Sequence, residues 1–229
     1  MPRIARAVAP GFPHHVVHRG NNRGPVFFGD EDIHTYLGLL AAYSRKWNCP
    51  VLAYCLMSNH VHLLLRPYES QSLAKMMQGI SLCYAQYVNR SHLRTGRLWE
   101  SRYYSCIVDN EKYLWTVARY IEQNPVRAGL LGNEEEYPYS SAAAHILGVK
   151  DCVLGDDLLD RTQKGDYVSF VKVRAPESEL RAVRISTRSG RPLGSQTFTG
   201  RMEDLLQRRL LVHSRGRPSR KESRHLRFW

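Results

Sequence analysis

Hydrophobic and polar positions along the first 146 residues switch between a period of two and a period near 3.6, which divides that stretch into short strands and helices. Residues 14–19, His-His-Val-Val-His-Arg, are short and β-branched and end in Gly20-Asn21-Asn22-Arg23-Gly24, so a strand followed by a polar loop is expected. From Asp30 to about Trp47, Ile33, Tyr36, Leu37, Leu40 and Tyr43 recur at helical spacing, with Asp30 or Asp32 available to cap the start. Residues 51–56 and 60–66 are compact β-like runs separated by Met57-Ser58-Asn59, short enough for an antiparallel hairpin. Leu73, Met76, Met77, Ile80, Cys83, Tyr84 and Tyr87 form the stripe of a second helix covering one face of the sheet. A further strand is read over 103–108, and then a helix from about Glu111 to Gln123 capped by Asn110. A short helix after Pro125 and another opened by Tyr137-Pro138-Tyr139-Ser140-Ser141 complete the expected core near Ile146.

Beyond that point the pattern weakens. Residues 150–190 show no firm period, Met202 to Leu211 suits a short helix, and the rest of the tail reads as extended or mobile when free. The expected organisation is a catalytic domain over 1–149 and a basic, DNA-contacting, partly flexible extension over 150–229.

Charge sharpens this division. The 229-residue chain carries a formal net charge of +12, and residues 172–229 hold fifteen Lys and Arg against five Asp and Glu. Each lysine or arginine that meets a phosphate releases counterions, so nucleic acid is the first partner to consider. The five cysteines are odd in number and form no CxxC pair, which suits reduced thiols in a cytosolic protein. No apolar h-region follows Met1 and no run reaches the roughly 18 apolar residues of a membrane span, so a soluble, unsecreted, cytoplasmic chain acting at the nucleoid is expected.

Candidate chemistry centres on His60-Val61-His62. On a strand the two imidazoles emerge on one face while Val61, Leu63 and Leu65 point to the other, so both rings can share one metal ion. A catalytic metal also needs further ligands and an open position, for which Asn124 and Gln123 offer neutral oxygens. Helical spacing puts Tyr120 beside Asn124, on the flank of a stripe formed by Leu114, Val117, Ala118 and Ile121, and leaves Tyr113 as a rival tyrosine. A phenol becomes a nucleophile only where a cation or base favours the phenolate, a field for which Arg119, Arg102 and a metal are available. Arg19, Asn21, Asn22 and Arg23 are suited to base edges and phosphates, or to a solvated loop. Arg215-Gly216-Arg217-Pro218 suits an A·T minor groove or plain phosphate binding. His14, His15 and His18 are read as polar side chains of a strand facing DNA, not as metal ligands.

Met57-Ser58-Asn59-His60-Val61-His62 and Arg119-Tyr120-Ile121-Glu122-Gln123-Asn124-Pro125-Val126-Arg127-Ala128-Gly129 together resemble the REP-associated tyrosine transposases, relatives of the IS200-like single-tyrosine HUH transposases. Arg19-Gly20-Asn21-Asn22-Arg23, Gly96-Arg97-Leu98-Trp99, Arg102-Tyr103-Tyr104 and Tyr137 to Ser141 extend the resemblance over residues 12–146. It implies an α+β, ferredoxin-like core whose antiparallel sheet carries the histidine pair and has helices on its face. It also implies a single-stranded DNA endonuclease and strand transferase using Mg²⁺ or Mn²⁺, with Tyr120 forming a 5′-phosphotyrosine. The metal would sit on His60, His62 and Asn124, and the DNA contacts would include Arg19, Asn21, Asn22, Arg23 and Arg102; Arg215 and Arg217, outside the resemblance, are expected to add contacts from the tail on their own motif. The implied substrate is a palindromic extragenic repeat folded as a hairpin. Val17 departs from the pattern where relatives often carry threonine, and Tyr139 where they often carry tryptophan. The competing classes are a non-cutting hairpin-binding regulator of the same fold and a hydrolase that activates water without a covalent intermediate.

Overall fold

The computed structural model describes residues 6–109, 113–155, 158 and 163–210. Its centre is a four-stranded antiparallel sheet of β1 (His14–Arg19), β2 (Val51–Met57), β3 (His60–Leu65) and β4 (Tyr104–Ile107), ordered β2-β3-β1-β4. Helices α1 (Asp30–Lys46) and α2 (Ser72–Ser91) connect β1 to β2 and β3 to β4. This β-α-β-β-α-β order with β1 and β3 adjacent is the ferredoxin-like α+β arrangement.

Side-chain alternation assigns the two faces. Val16, Val61, Leu63 and Leu65 pack with Ile33, Tyr36 and Leu40 of α1 and with Leu73, Met76, Ile80 and Tyr84 of α2. Leu52, Cys55 and Leu64 point the other way and meet Leu114, Val117 and Ile121 of α3 (Leu114–Glu122). Burying each of these three α3 side chains is worth about 1.5–3 kcal/mol, which clamps the helix to the histidine-bearing face. Asn110, the expected cap of this helix, lies outside the described residues.

The Tyr137 to Ser141 stretch closes the sheet edge at β2. Leu56 N donates to Tyr139 O at 2.9 Å, Ser141 N donates to Tyr54 O at 3.0 Å, and the Tyr137 hydroxyl donates to Leu56 O at 2.7 Å. An edge strand so paired offers fewer free backbone groups to another chain. The short α4 (Asn124–Arg127) and α5 (Ala142–Leu147) fall where turn chemistry places them.

The packed fold does not stop near Ile146. Helices α6 (Lys164–Lys172) and α7 (Glu177–Ser189) occupy part of the stretch expected to lack regular structure, and Tyr167, Val171, Leu180 and Val183 join the cluster around α3. Helix α8 spans Gln196–Leu206, earlier than the helix expected over 202–211. The Ser195 hydroxyl accepts from Phe198 N at 3.0 Å and so starts the helix upstream, while Phe198 and Met202 pack against Ile107. Among the described residues no helix is long and apolar enough to cross a membrane.

Candidate active site

A cleft of about 470 Å³ opens on the α3 side of the sheet and is lined by His60, His62, Tyr120 and Asn124, together with Arg19 and Arg23. Strand alternation turns His60 and His62 to this face, with ring centroids 4.9 Å apart, and the Tyr120 ring lies 5.6 Å from that of His62. Tyr113 instead lines a separate recess with Thr116 and Glu179. The geometry therefore brings Tyr120, not Tyr113, to the histidine pair.

Hydrogen bonds orient the rings. The carbonyl of Arg23 can only accept, so the Asn59 amide nitrogen faces it at 3.0 Å and the Asn59 oxygen faces His60 Nδ1 at 2.6 Å. His60 thus carries its proton on Nδ1 and keeps Nε2 as a lone pair. His62 Nδ1 is likewise occupied, 3.1 Å from His15 Nε2. Burial pushes His60 down to about 4 and His62 well below the ordinary imidazole range, reinforced at His60 by Arg19 and at His62 by the neighbouring His60. Both rings are neutral at neutral pH, the form that binds a metal ion.

Asn124 lies in the cleft with its oxygen engaged. Its amide nitrogen donates to Tyr120 O and Ile121 O, each at 3.0 Å, and its Oδ1 accepts from Arg127 at 2.7 Å. Gln123 is turned away: it donates to Val171 O at 2.7 Å and to Val173 O at 3.1 Å, and so anchors the end of α6. Among the described residues no group of three or more His, Cys, Asp or Glu side chains is arranged to hold a metal. The donor set fits a divalent ion held by two imidazoles, with its remaining positions open to water or substrate.

The positive field on Tyr120 comes from different arginines than expected. Arg119 follows the helix turn away from the cleft, where it pairs with Glu179 at 2.5 Å and stacks on the Phe170 ring at 3.9 Å. Arg102 is exposed in an adjoining recess with Arg6 and Tyr103. In their place, the Arg127 guanidinium lies 4.5 Å from the Tyr120 ring centroid, and Arg184 of α7 lines the same cleft as Tyr120 while pairing with Glu177 at 2.8 Å. Among the described residues, Arg127 Nη1 is buried without a hydrogen-bond partner. A buried donor left unpaired costs about 1–3 kcal/mol, and an anionic oxygen in the cleft would satisfy it.

The loop expected to meet DNA has left-handed backbone at Asn22 (φ 51°) and Arg23 (φ 59°), uncommon for residues with a Cβ. It is pinned by Gly20 N donating to Asn59 O at 2.9 Å and Asn21 N donating to Leu98 O at 2.8 Å. Gly20 is required there, because a Cβ would meet Gly24 O at 2.2 Å. Arg19 and Arg23 reach the cleft, whereas Asn21 and Asn22 are exposed beside it. Arg215 and Arg217 lie outside the described residues.

The expectation that the β1 histidines present polar groups to DNA does not hold, since all three are buried. His14 bonds Phe12 O at 2.8 Å, and His18 bonds Ser101 O at 2.9 Å and stacks on Trp99, while His15 packs against His62. The sequence reading also missed Arg184, Thr187 and Arg188 of α7 as lining residues. Their helix was signalled by Pro176 before it, Glu177 and Glu179 in its first turn and Gly190 after its end.

Residues 11–124 match the family model described as Transposase IS200 like, so this part of the chain is similar to that family. Within that class the chain is similar to a Haemophilus influenzae protein that carries the name of a REP-associated tyrosine transposase, with 25% identity over 100 residues. The match covers 39% of this chain and 57% of that protein, so it spans little more than half the length of the curated relative. A solved REP-associated tyrosine transposase, described as bound to a REP hairpin, shares the fold at a TM-score of 0.51 and 14% identity, covering 70% of this chain and 94% of its own.

Proposed function

We propose that this chain is a metal-dependent DNA strand transferase that binds hairpin-forming extragenic repeats and cuts adjacent single-stranded DNA with Tyr120 as nucleophile. The observation that carries the reading is the cleft in which Tyr120 and both histidines converge with five arginines, in a chain whose residues 11–124 match the IS200-like transposase model. The hairpin substrate is the one described for the solved relative. A cytoplasmic place of action, on chromosomal DNA, belongs to the same reading.

The Tyr120 oxygen, giving up its phenolic proton, attacks the scissile phosphorus and forms a Tyr120–phosphate ester at the 5′ end of the downstream fragment. The bond from phosphorus to the 3′ oxygen breaks, and that oxygen leaves as a 3′-hydroxyl after taking up a proton. Arg184 in the cleft and Arg127 over the ring place positive charge near where the nucleophile must carry negative charge. Arg127 Nη1 supplies a donor for a non-bridging phosphate oxygen. His60 and His62 would hold a divalent ion, Mg²⁺ or Mn²⁺, which would supply Lewis-acid polarisation of the phosphate. Asn124 would offer a further neutral oxygen ligand through the lone pair of Oδ1 that Arg127 does not occupy. A phosphotyrosine conserves the energy of the cut backbone, and attack by a 3′-hydroxyl rejoins it.

Labelled single-stranded DNA carrying a repeat hairpin, incubated with Mg²⁺ or Mn²⁺, is expected to give a denaturant-resistant protein–DNA adduct with wild type and none with Tyr120→Phe. Hairpin binding without an adduct under both metals would favour a non-cutting regulator. Cleavage that survives Tyr120→Phe would favour water activation.

A further inference from the structure

Thr187 lies on α7, beyond the residues matched by the transposase family model, yet it is buried against the histidine-bearing face. Its hydroxyl has one hydrogen, which it donates to Val183 O one turn back at 2.8 Å. The oxygen is then an acceptor, and His15 Nδ1 approaches it at 2.7 Å. A neutral imidazole carries one N–H. With that hydrogen on Nδ1, His15 Nε2 is a lone pair, and it faces His62 Nδ1 at 3.1 Å. His62 must therefore donate from Nδ1, which leaves its Nε2 unprotonated.

We propose that Thr187 and His15 are positioning residues for a metal ligand: the series Val183 O, Thr187, His15 and His62 holds His62 in the tautomer whose Nε2 is open to a divalent cation. The inference rests on the reading in which His60 and His62 hold that cation. Reversing the series, with the Thr187 hydroxyl turned to His15, would move a proton onto His62 Nε2 and close it to metal. The α7 carbonyl thus acts through two side chains on a ligand of the cleft. Asn59 serves His60 in the same way from the opposite side. His15 and His62 are both buried, and burial disfavours a charged imidazole, so the tautomer is the remaining variable. Partners that fix the second nitrogen of a metal-bound histidine orient the ring and strengthen it as a ligand.

The test uses the full chain. Two-bond ¹H–¹⁵N correlation spectra of the metal-free protein are expected to show Nδ1–H at both His15 and His62 in wild type and in Thr187→Ser, with mixed tautomers in Thr187→Val. Titration with MnCl₂, followed by loss of the free-ion electron paramagnetic resonance signal, is expected to give binding at least about tenfold weaker in Thr187→Val. Thr187→Ser should remain within about twofold of wild type in the same titration. A wild-type His62 protonated on Nε2 would overturn the inference, as would a folded Thr187→Val with unchanged tautomers and affinity. His62→Ala separates the two layers. If it binds manganese as wild type does, the metal reading itself fails; if it loses binding while Thr187→Val does not, only the relay fails.

Discussion

Acidification of the metal-free protein tests whether the histidines of β1 and β3 are as dry as the packing shows. His14, His15, His18 and His62 are each at most 4% exposed. Burial pushes His14 and His18 down to about 4, His15 to about 3, and His62 well below 6.5. The unfolded chain titrates these groups near 6.5, so between about pH 6.5 and 4 it binds more protons than the folded chain. Stability then rises with pH through that window and is lost as pH falls. From about pH 7.5 to 5.5, each such histidine costs about 1.4 kcal/mol, and four together cost about 5–6 kcal/mol. That loss is comparable with the whole stability of an ordinary domain, about 5–15 kcal/mol. Urea unfolding followed by tryptophan fluorescence, with chelator present, should show the free energy falling by about 4 kcal/mol per pH unit around pH 6. A flat profile from pH 7.5 to 5.5 would refute the reasoning, because it would mean that the imidazoles titrate normally in the folded protein.

Three further outcomes follow from the same contacts. Glu122, on the helix that carries Tyr120, is fully buried and accepts from Ser141 at 2.7 Å, His145 at 2.5 Å and Tyr167 at 2.7 Å. Glu122→Ala should therefore lower the unfolding free energy by about 3–5 kcal/mol, measured by urea titration. Arg127→Met should cut the rate of adduct formation by about 100-fold, as loss of a single oxyanion donor does, while hairpin affinity in a gel-shift assay changes only a few-fold. Removing residues 211–229, which hold six Lys and Arg and one Glu, should weaken hairpin binding and reduce its slope against log salt by up to about 4–5. The cut belongs after Leu210, because a truncation at 190 would strip Phe198 and Met202 from Ile107 and report on folding instead.

How far the site was legible depended on whether its signal was local. Alternation placed His60 and His62 opposite Val61 and Leu63 because strand geometry has only two faces, and α1 and α2 were legible from their broad apolar stripes. Helical spacing placed Tyr120 beside Asn124 for the same reason. Adjacency in sequence misled at Arg119, since one residue along a helix is a rotation of about 100° and carries that guanidinium to Glu179 and Phe170. Arg127, seven residues on from Tyr120, returns to the tyrosine's side. Helix α7 was missed because its buried stripe is thin, with Leu180, Val183 and Thr187 set among charged and polar residues.

The thinness of that stripe is itself informative. A helix bound mainly by hydrophobic area would present a wider apolar face. Helix α7 instead meets the sheet with a threonine against His15 and carries Arg184 into the cleft, so part of what holds it in place is polar contact with the sheet. The segment outside the family-matched residues is thus built into the site from which the proposed chemistry is drawn. Replacing the polar residues of α7 while keeping Leu180 and Val183 would preserve its apolar packing and still remove Arg184 from the cleft and the partner of His15. Adduct formation is expected to fail in such a variant while its far-ultraviolet circular dichroism stays that of the parent; a variant that cleaves at the parent rate would show that α7 only covers the sheet.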